Sequence, residues 1–459
     1  MNLNPCENIL IQSGIDQPQQ IKCIRQADLD ENIQTLTEIQ SNWVTQNQFS
    51  AKKQSYIRIP NNANQDIIWL GIGAGSVLDL RDSSAWLSQQ LAIGIYAFDT
   101  AEDHFELGLG WALGQYQFDR YLSERKEKNQ LVINDEIRPK ITEIGNGLFL
   151  ARDLINTPTN DMGPSHLSEV VQAVASQYEA EFTEILDQEL LDKGYRTIYT
   201  VGMAADNRPR LLELKWGNDD APKVTLVGKG VCFDTGGLDI KPGAGMLIMK
   251  KDMGGAAHAL ALATMVMSAK LNINLRVLLP AVENSISSNA FRPGDVIKTY
   301  KGTTVEIGNT DAEGRLILCD ALALGGEDKP DLMIDFATLT GAARVAMGAD
   351  VVPFFTDDED LASGLAEHSA AVSDPLWRLP LYKGYESQLK STIADLNNIS
   401  SSPFGGAITA GLFLKNFVPE KTTWAHIDLY GWNQSDKATC HKGGQSMAIH
   451  AVFSYLASL

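Results

Sequence analysis

Strand-like apolar runs alternate with helical patterns from about residue 167 onward, and this alternation limits the possible folds more than any other feature. Apolar residues recur at helical spacing over 168–178 and 254–270. Short apolar runs typical of buried strands lie at 197–203, 211–216, 224–227, 275–279, 331–337 and 424–428. Such alternation is typical of strands that are joined through helices and run in parallel. We therefore predict an α/β domain with a mostly parallel central sheet.

The first 145 residues differ from the rest of the chain. They combine glutamine-rich polar segments with a strand-like run at 67–73 and helical patterns over 86–98 and 105–121. A chain of 459 residues is also longer than one ordinary core accommodates. We predict a small N-terminal α/β domain over 1–145, followed by a larger α/β domain over 146–459.

Composition excludes several classes of protein. The net charge is −19, and an acidic chain is a poor partner for nucleic acid or anionic membranes. No apolar run approaches the roughly 20 residues of a membrane span, and the first residues have no signal-like pattern. The five cysteines include no C-x-x-C pair, which favours a reduced, cytoplasmic compartment.

Acidic residues are concentrated in glycine-rich stretches that follow apolar runs. The stretch 309–316 contains Asp311 and Glu313, which would face the same side of an extended segment, and then Gly314 and Arg315. A second stretch, over 227–257, adds the other candidates Lys229, Asp234 and Asp252. Acids at a strand-to-helix junction occupy the place where open α/β sheets bind ligands.

Four clustered carboxylates would repel one another unless cations neutralised them. None of the seven histidines lies in the acidic stretches, so a histidine-based zinc motif is absent from them. Two divalent cations held by oxygen ligands, with the amine of Lys229, would balance the charge. The residues alone therefore indicate a paired-metal hydrolase. They leave open a two-metal phosphoester hydrolase and a binding protein without activity.

Both stretches resemble the leucyl aminopeptidase family, also called the cytosol aminopeptidases. Asn-Thr-Asp-Ala-Glu-Gly-Arg-Leu at 309–316 is similar to the family signature, and 227–257 is similar to its metal-binding segment. The resemblance extends over about 148–456. It implies that 146–459 is a catalytic domain and 1–145 a cap, and that the protein releases leucine-like N-terminal residues from peptides.

The resemblance also implies a ligand set for two ions, Mn²⁺ or Zn²⁺. Asp234 and Glu313 would bridge the two ions. Lys229 and Asp252 would complete the tighter site, and Asp311 would belong to the exchangeable site.

The remaining implied roles concern substrate and catalysis. Lys241 would polarise the scissile carbonyl, although on its position alone it could be a surface lysine. Arg315 would hold a bicarbonate ion that acts as the general base. The pocket for the N-terminal side chain would be lined by Met249, Thr338, Leu339 and Gly341. The family further implies a homohexamer.

Several other charged residues are expected to have no catalytic role. Asp239 and Lys250 or Lys251 are predicted to be surface charges. His258 is predicted to pack in a helix, and His426 to make a structural hydrogen bond in a strand.

Overall fold

The computed structural model describes residues 2–12, 14, 17–61 and 65–459. Two compact units are present among them. One contains residues 150–432 and 443–459, and the other contains residues 2–149 and 433–442. The ten-residue segment 433–442 thus belongs to the N-terminal unit, although it lies close to the end of the chain.

The N-terminal unit is built on a six-stranded sheet in the order β1-β6-β5-β2-β4-β3. Its strands are β1 (Leu10–Ile11), β2 (Gln19–Ile24), β3 (Ser55–Ile59), β4 (Ile67–Gly71), β5 (Ile95–Phe98) and β6 (Gln130–Val132). Its helices are α1 (Leu29–Gln34), α2 (Glu38–Gln46), α3 (Val77–Gln90) and α4 (His104–Gly114), and the next helix, α5 (Arg138–Asn156), contains the division between the units. The prediction of an α/β domain is confirmed for this unit.

One helix prediction in this unit is wrong. The segment 86–98 was expected to be helical, but α3 ends at Gln90 and the strand β5 follows it. β5 lies between β2 and β6 and pairs in parallel with both. Pairing inside a sheet outweighs the local helical pattern here.

The larger unit contains a nine-stranded sheet in the order β16-β15-β18-β14-β9-β11-β8-β7, with β10 paired to β11. The nine strands of this sheet are β7 (Glu181–Leu186), β8 (Arg210–Gly217), β9 (Lys223–Gly228), β10 (Gly230–Asp234), β11 (Asn274–Asn284), β14 (Leu332–Ala337), β15 (Val352–Phe355), β16 (Leu376–Arg378) and β18 (Thr423–Asp428). A three-stranded sheet contains β12 (Val296–Lys298), β13 (Thr304–Glu306) and β17 (Leu396–Asn397). The remaining strands are β19 (Trp432–Asn433), within which the units divide, and β20 (Gly443–Gly444). The central pairs β9–β11, β9–β14 and β14–β18 are parallel. The predicted mostly parallel central sheet is confirmed.

Helices accompany this sheet and complete the unit. They are α6 (Pro164–Gln177), α7 (Gln188–Asp192), α8 (Arg196–Gly202), α9 (Gly243–Met246), α10 (Gly254–Ser268), α11 (Gly314–Glu327), α12 (Gly341–Met347), α13 (Glu359–Val372), α14 (Gly406–Lys415) and α15 (Ile449–Leu456). Short 3-10 helices span Pro5–Asn8, Gln26–Asp28, Thr159–Asp161, Met249–Met253 and Lys383–Leu389. Within the described ranges, every helix is too short or too polar to cross a membrane.

The predicted strand at 197–203 is instead the helix α8. The buried carboxylate of Asp320 accepts a hydrogen bond from the backbone N–H of Thr197 at 3.0 Å. Ile198 and Val201, three residues apart, are both fully buried. A distant carboxylate thus satisfies a free N–H at the start of α8, and one helical face is buried in the core.

The tight packing of α10 against the sheet depends on Gly255. A Cβ atom at this position would lie only 2.1 Å from the carbonyl oxygen of Phe336 and 2.7 Å from the backbone nitrogen of Lys229. Only glycine allows the start of α10 to approach β14 and the end of β9 so closely. This contact places the 3-10 turn 249–253 beside the carboxyl ends of the central strands.

Candidate active site

The site lies where β9, β10 and β14 end. Lys229 follows β9, Asp234 is the last residue of β10, and Thr338 follows β14. The backbone N–H of Lys229 donates to Phe336 O at 2.9 Å, which ties the end of β9 to β14. Parallel strands present their carboxyl ends at one edge of a sheet, so residues far apart in the sequence meet there.

Three buried carboxylates form the centre of the site. Asp234, Asp252 and Glu313 each offer an oxygen, and these oxygens lie within 4.8 Å of one another. The ammonium group of Lys229 lies 2.8 Å from Asp252 Oδ2 and 3.0 Å from Glu313 Oε1, and it donates to Thr338 O at 2.9 Å. All four side chains are almost completely buried. The fold thus brings together four of the five predicted ligands, and the fifth, Asp311, contacts the cluster through Lys241.

Burial and mutual repulsion shift the pKa values of these groups. Burial and then the charge of Asp234 raise the pKa of Glu313 to about 8. Burial and then Asp252 raise the pKa of Asp234 to about 6. Burial lowers the pKa of Lys229, but the surrounding carboxylates, Asp252 first, outweigh it and raise that pKa above its ordinary value. The ammonium groups of Lys229 and Lys241 lower the pKa values of these two acids but do not outweigh burial and repulsion.

Lys241 contacts the carboxylate oxygen of Asp234 that the hydrogen bonds fixing this residue leave free. Asp234 Oδ1 accepts hydrogen bonds from Asn284 Nδ2 at 2.8 Å and from the N–H of Gly236 at 2.9 Å. Its Oδ2 lies 2.8 Å from Lys241 Nζ, which also contacts Asp311 Oδ1. Burial lowers the pKa of Lys241, but Asp234 and Glu313 outweigh burial and raise it. Lys241 is thus held in the cluster and is not a surface lysine.

The segment that carries Asp311 and Glu313 is a turn, whereas the sequence predicted an extended segment. Asn309 Oδ1 accepts the N–H of Asp311 at 2.7 Å, and Thr310 Oγ1 donates to Gly236 O at 2.6 Å. Asn398 fixes the same turn, because its Oδ1 accepts the N–H of Gly308 at 2.7 Å. Side-chain capping of the backbone outweighs the extended conformation here.

Gly314 leaves room for the side chain of Lys229. It begins α11, and a Cβ there would lie 2.5 Å from Cε of Lys229 and 2.7 Å from its Nζ. The glycine therefore leaves the space through which the Lys229 side chain reaches the carboxylates.

Arg315 is buried beside this cluster and is not among the residues that line the cavity described below. Its NH1 group donates to Asn398 O at 2.6 Å. Its buried Nε has no hydrogen-bond partner in the described part of the chain. Burial lowers the pKa of Arg315 to about 10.

A cavity of about 340 Å³ opens beside the carboxylates. Met249, Thr338, Leu339 and Gly341, the four predicted pocket residues, all line it. Thr338 Oγ1 also donates to Asp252 Oδ1 at 2.7 Å, so this wall of the pocket is tied to the cluster. The N–H groups of Leu339 and Thr340 donate to Asp428 Oδ1 at 3.0 and 3.1 Å, which fixes the loop after β14.

Sequence reasoning missed seven further residues that line the cavity: Pro242, Gly245, Lys251, Thr340, Arg344, Leu429 and Tyr430. The expectation that Lys251 is a surface charge is wrong, because only 5% of it is exposed and burial lowers its pKa to about 8. Its neighbour Lys250 points elsewhere and donates to Asn156 O at 2.6 Å. A run of two lysines gives no sign of which one faces the core, so the sequence could not separate them.

The two histidines have the structural positions that were predicted. His258 is fully buried in α10, where Nδ1 lies 2.6 Å from Gly254 O and Nε2 accepts the N–H of Met447 at 2.9 Å. His426, on β18, lies 2.6 Å from the buried carboxylate of Asp335. Neither lines the cavity.

Comparison with known proteins decides which family this arrangement represents. The family model for the catalytic domain of the cytosol aminopeptidase family matches residues 149–453. The family model for the M17 aminopeptidase N-terminal domain matches residues 19–134. The chain belongs to the cytosol aminopeptidase family. The resemblance found in the two acidic stretches is thereby confirmed.

Individual relatives agree with this assignment. A probable cytosol aminopeptidase of Corynebacterium glutamicum is 39% identical over 402 residues, which cover 83% of this chain and 79% of that protein. The crystal structure of a cytosol aminopeptidase from Coxiella burnetii superposes with a TM-score of 0.93 at 42% identity, covering 98% of this chain and 99% of that one. The bottromycin maturation enzyme BotP in complex with Mn superposes with a TM-score of 0.87 at 28% identity, covering 96% and 99%.

Membership of the family establishes the general activity. The protein is a hydrolase of the metallo-exopeptidase type, an aminopeptidase that acts on peptides. Members of the family use divalent metal ions, and the buried cluster of Asp234, Asp252 and Glu313 could hold one. The phosphoester hydrolase and the inactive binding protein that the residues alone left open are therefore set aside.

Proposed function

We propose that the protein removes N-terminal residues, preferably leucine-like ones, from short peptides by means of two divalent ions bound at the acidic cluster. The observation that carries this proposal is the group of buried carboxylates at the wall of a cavity large enough for an amino-acid side chain. A cavity with a few convergent polar groups of shifted pKa is the usual form of a catalytic site.

The donor set fits divalent ions on physical grounds. Glu313 Oε2 is buried and has no hydrogen-bond partner among the described residues. Burial, and then the neighbouring carboxylates, raise the pKa values of Asp234 and Glu313, so a bound cation would favour their ionised forms. A second positive centre would satisfy the free oxygen and relieve the repulsion between carboxylates.

The proposed ligands are those that the family resemblance implies. Asp234 and Glu313 would contact both ions, and Lys229, Asp252 and Asp311 would contact one each. Mn²⁺ and Zn²⁺ are the proposed ions, and the complex of BotP with Mn supports the first. When bound, the ions would supply Lewis acidity and lower the pKa of a water molecule that attacks the peptide bond.

Lys241 is proposed to stabilise the oxygen of the scissile carbonyl. Its ammonium group is partly exposed to the cavity and already lies among carboxylates that keep it protonated. A fixed cation aimed at the developing oxyanion acts most strongly in the transition state. Lys241 would therefore accelerate the reaction without accepting a proton.

Arg315 is proposed to hold bicarbonate as a general base. The support is its buried Nε, which still has a hydrogen to donate, and its position two residues after Glu313. A guanidinium group binds a planar oxyanion through parallel hydrogen bonds. The carbonyl of Asn398, which accepts from NH1, would orient the group for this contact.

The pocket of Met249, Thr338, Leu339 and Gly341 is proposed to receive the N-terminal side chain. Met249 gives it an adaptable apolar wall. A homohexamer and a cytoplasmic location remain part of the proposal. The free state of the described cysteines is compatible with that location, and the mass of the native particle in solution tests the hexamer.

A substrate comparison tests the proposed function. With Mn²⁺ present, we expect the protein to hydrolyse leucine p-nitroanilide, to leave N-acetyl-leucine p-nitroanilide intact, and to leave p-nitrophenyl phosphate intact. The acetylated substrate is the matched control, because it lacks only the free amine. Hydrolysis of the phosphate ester alone, or equal hydrolysis of both anilides, would contradict an aminopeptidase of this kind.

A further inference from the structure

Besides Lys229 and Lys241, which contact the acidic cluster, two further cationic side chains line the cavity. Lys251 Nζ lies 5.0 Å from the centre of the Tyr430 ring, and Arg344 Cζ lies 5.1 Å from the same ring. All three residues line the cavity with the proposed side-chain pocket. The pocket therefore has a cationic end, defined here as Lys251, Arg344 and Tyr430.

The charge of Lys251 is not balanced by a direct partner. It is 95% buried, yet no carboxylate in the described part of the chain lies within ion-pair distance of its ammonium group. The nearby carboxylate of Asp428 is occupied by the N–H groups of Leu339 and Thr340 and by the Thr340 hydroxyl. A buried cation without a counter-charge is costly unless something else supplies one.

Arg344 extends the same end of the pocket toward solvent. It lies three residues after Gly341 on α12, so the two residues share one face of that helix. Arg344 is exposed, and it too has no carboxylate within ion-pair distance in the described ranges. Cations packed against an aromatic ring keep their outer faces available for an anion.

The cationic end and Lys241 have different neighbours in the site. Lys241 contacts Asp234 and Asp311, whereas the charged groups that act on Lys251 are Asp252, Lys229, Arg344 and Asp428. Lys251 also shares the 3-10 turn 249–253 with the pocket residue Met249. The cationic end therefore belongs to the part of the cavity for the N-terminal side chain and not to the part for the scissile carbonyl.

We infer that Lys251 and Arg344, packed on Tyr430, bind the side-chain carboxylate of an N-terminal glutamate or aspartate. This inference rests on the proposed function, since it assigns a substrate class to the same pocket. The substrate carboxylate gives Lys251 the counter-charge that the chain does not supply, and Arg344 closes over it from the rim. The enzyme would thus accept acidic N-terminal residues as well as leucine-like ones.

The test is the ratio of kcat/KM for α-glutamate p-nitroanilide to kcat/KM for leucine p-nitroanilide, measured with Mn²⁺ and with the metal content determined for each preparation. For the wild type, this ratio should lie within about tenfold of unity. Lys251→Met and Arg344→Gln should each lower the ratio about 10- to 100-fold, because each removes a charge-assisted hydrogen bond to the substrate carboxylate. The matched control is Lys250→Met, because Lys250 is the adjacent lysine and does not line the cavity. That control should leave the ratio unchanged.

Each other outcome has a distinct meaning. Hydrolysis of the leucine substrate with no detectable hydrolysis of the glutamate substrate would overturn this inference and leave the proposed function standing. An unchanged ratio in both variants, with or without loss of metal, would show that Lys251 and Arg344 are structural and would also overturn it. Hydrolysis of neither substrate by metal-loaded wild type would contradict the proposed function itself.

Discussion

Replacing Lys241 with alanine should lower kcat about 10²- to 10³-fold, which corresponds to an increase of roughly 2.7–4 kcal/mol in the activation free energy. This is the usual effect of removing one hydrogen-bond donor to an oxyanion. KM should change much less, because the ammonium group meets charge that develops mainly in the transition state. Steady-state kinetics with leucine p-nitroanilide measures both constants. Lys241 contacts Asp234 and Asp311 but is not one of the proposed ligands, so the variant should still bind two ions per chain.

Lys250→Ala provides a control for this prediction. That change also removes a partly buried lysine, but one whose Nζ donates to Asn156 O away from the cavity. A Lys241→Ala enzyme with a kcat close to that of wild type would reduce Lys241 to a structural partner of Asp234. Loss of the metal ions from the variant would instead place Lys241 among the ligands or supports of the metal site.

Replacing Glu313 with alanine should remove more metal than replacing Asp252. Glu313 is proposed to contact both ions, whereas Asp252 is proposed to contact one. We expect Glu313→Ala to retain less than about one ion per chain and to lose nearly all activity, because both ions contribute to the same transition state. Asp252→Ala should empty mainly one site. Metal analysis of the dialysed variants, together with their activity, measures the difference.

Thermal unfolding without added metal serves as the check on folding for both variants. Each substitution removes one carboxylate from the same repulsive cluster and one partner of Lys229. A cooperative unfolding transition in each variant would show that both are folded, so a difference in metal content would not reflect a failure to fold. Two ions per chain in both variants would refute the ligand assignment.

The part of the fold that the sequence predicts best is the central sheet. Its strands are long, apolar and buried on both faces, so their pattern differs clearly from that of the connecting segments. The failures at 86–98 and 197–203 have a different origin. The strand β5 is fixed by its neighbours in the sheet, and α8 is fixed by a carboxylate from residue 320. Neither influence is visible in the local sequence.

The candidate site shows the same division between local and distant information. The acidic stretches contain the residues of the cluster. Their resemblance to a known family is specific enough to name these residues individually. The cationic end of the pocket comes from three separate parts of the chain, at residues 251, 344 and 430, and the last two lie outside both acidic stretches. The packing of both cations against the Tyr430 ring brings them to one pocket, and this packing is not visible in the local sequence.

Metal titration of the metal-free protein is the most direct test of the claim that the acidic cluster drives peptide hydrolysis. The protein is stripped with a chelator and dialysed, and Mn²⁺ or Zn²⁺ is then added while bound metal and hydrolysis of leucine p-nitroanilide are followed together. We predict no activity without metal and full activity as binding approaches two ions per chain. Full activity in protein verified to be free of metal would contradict the account.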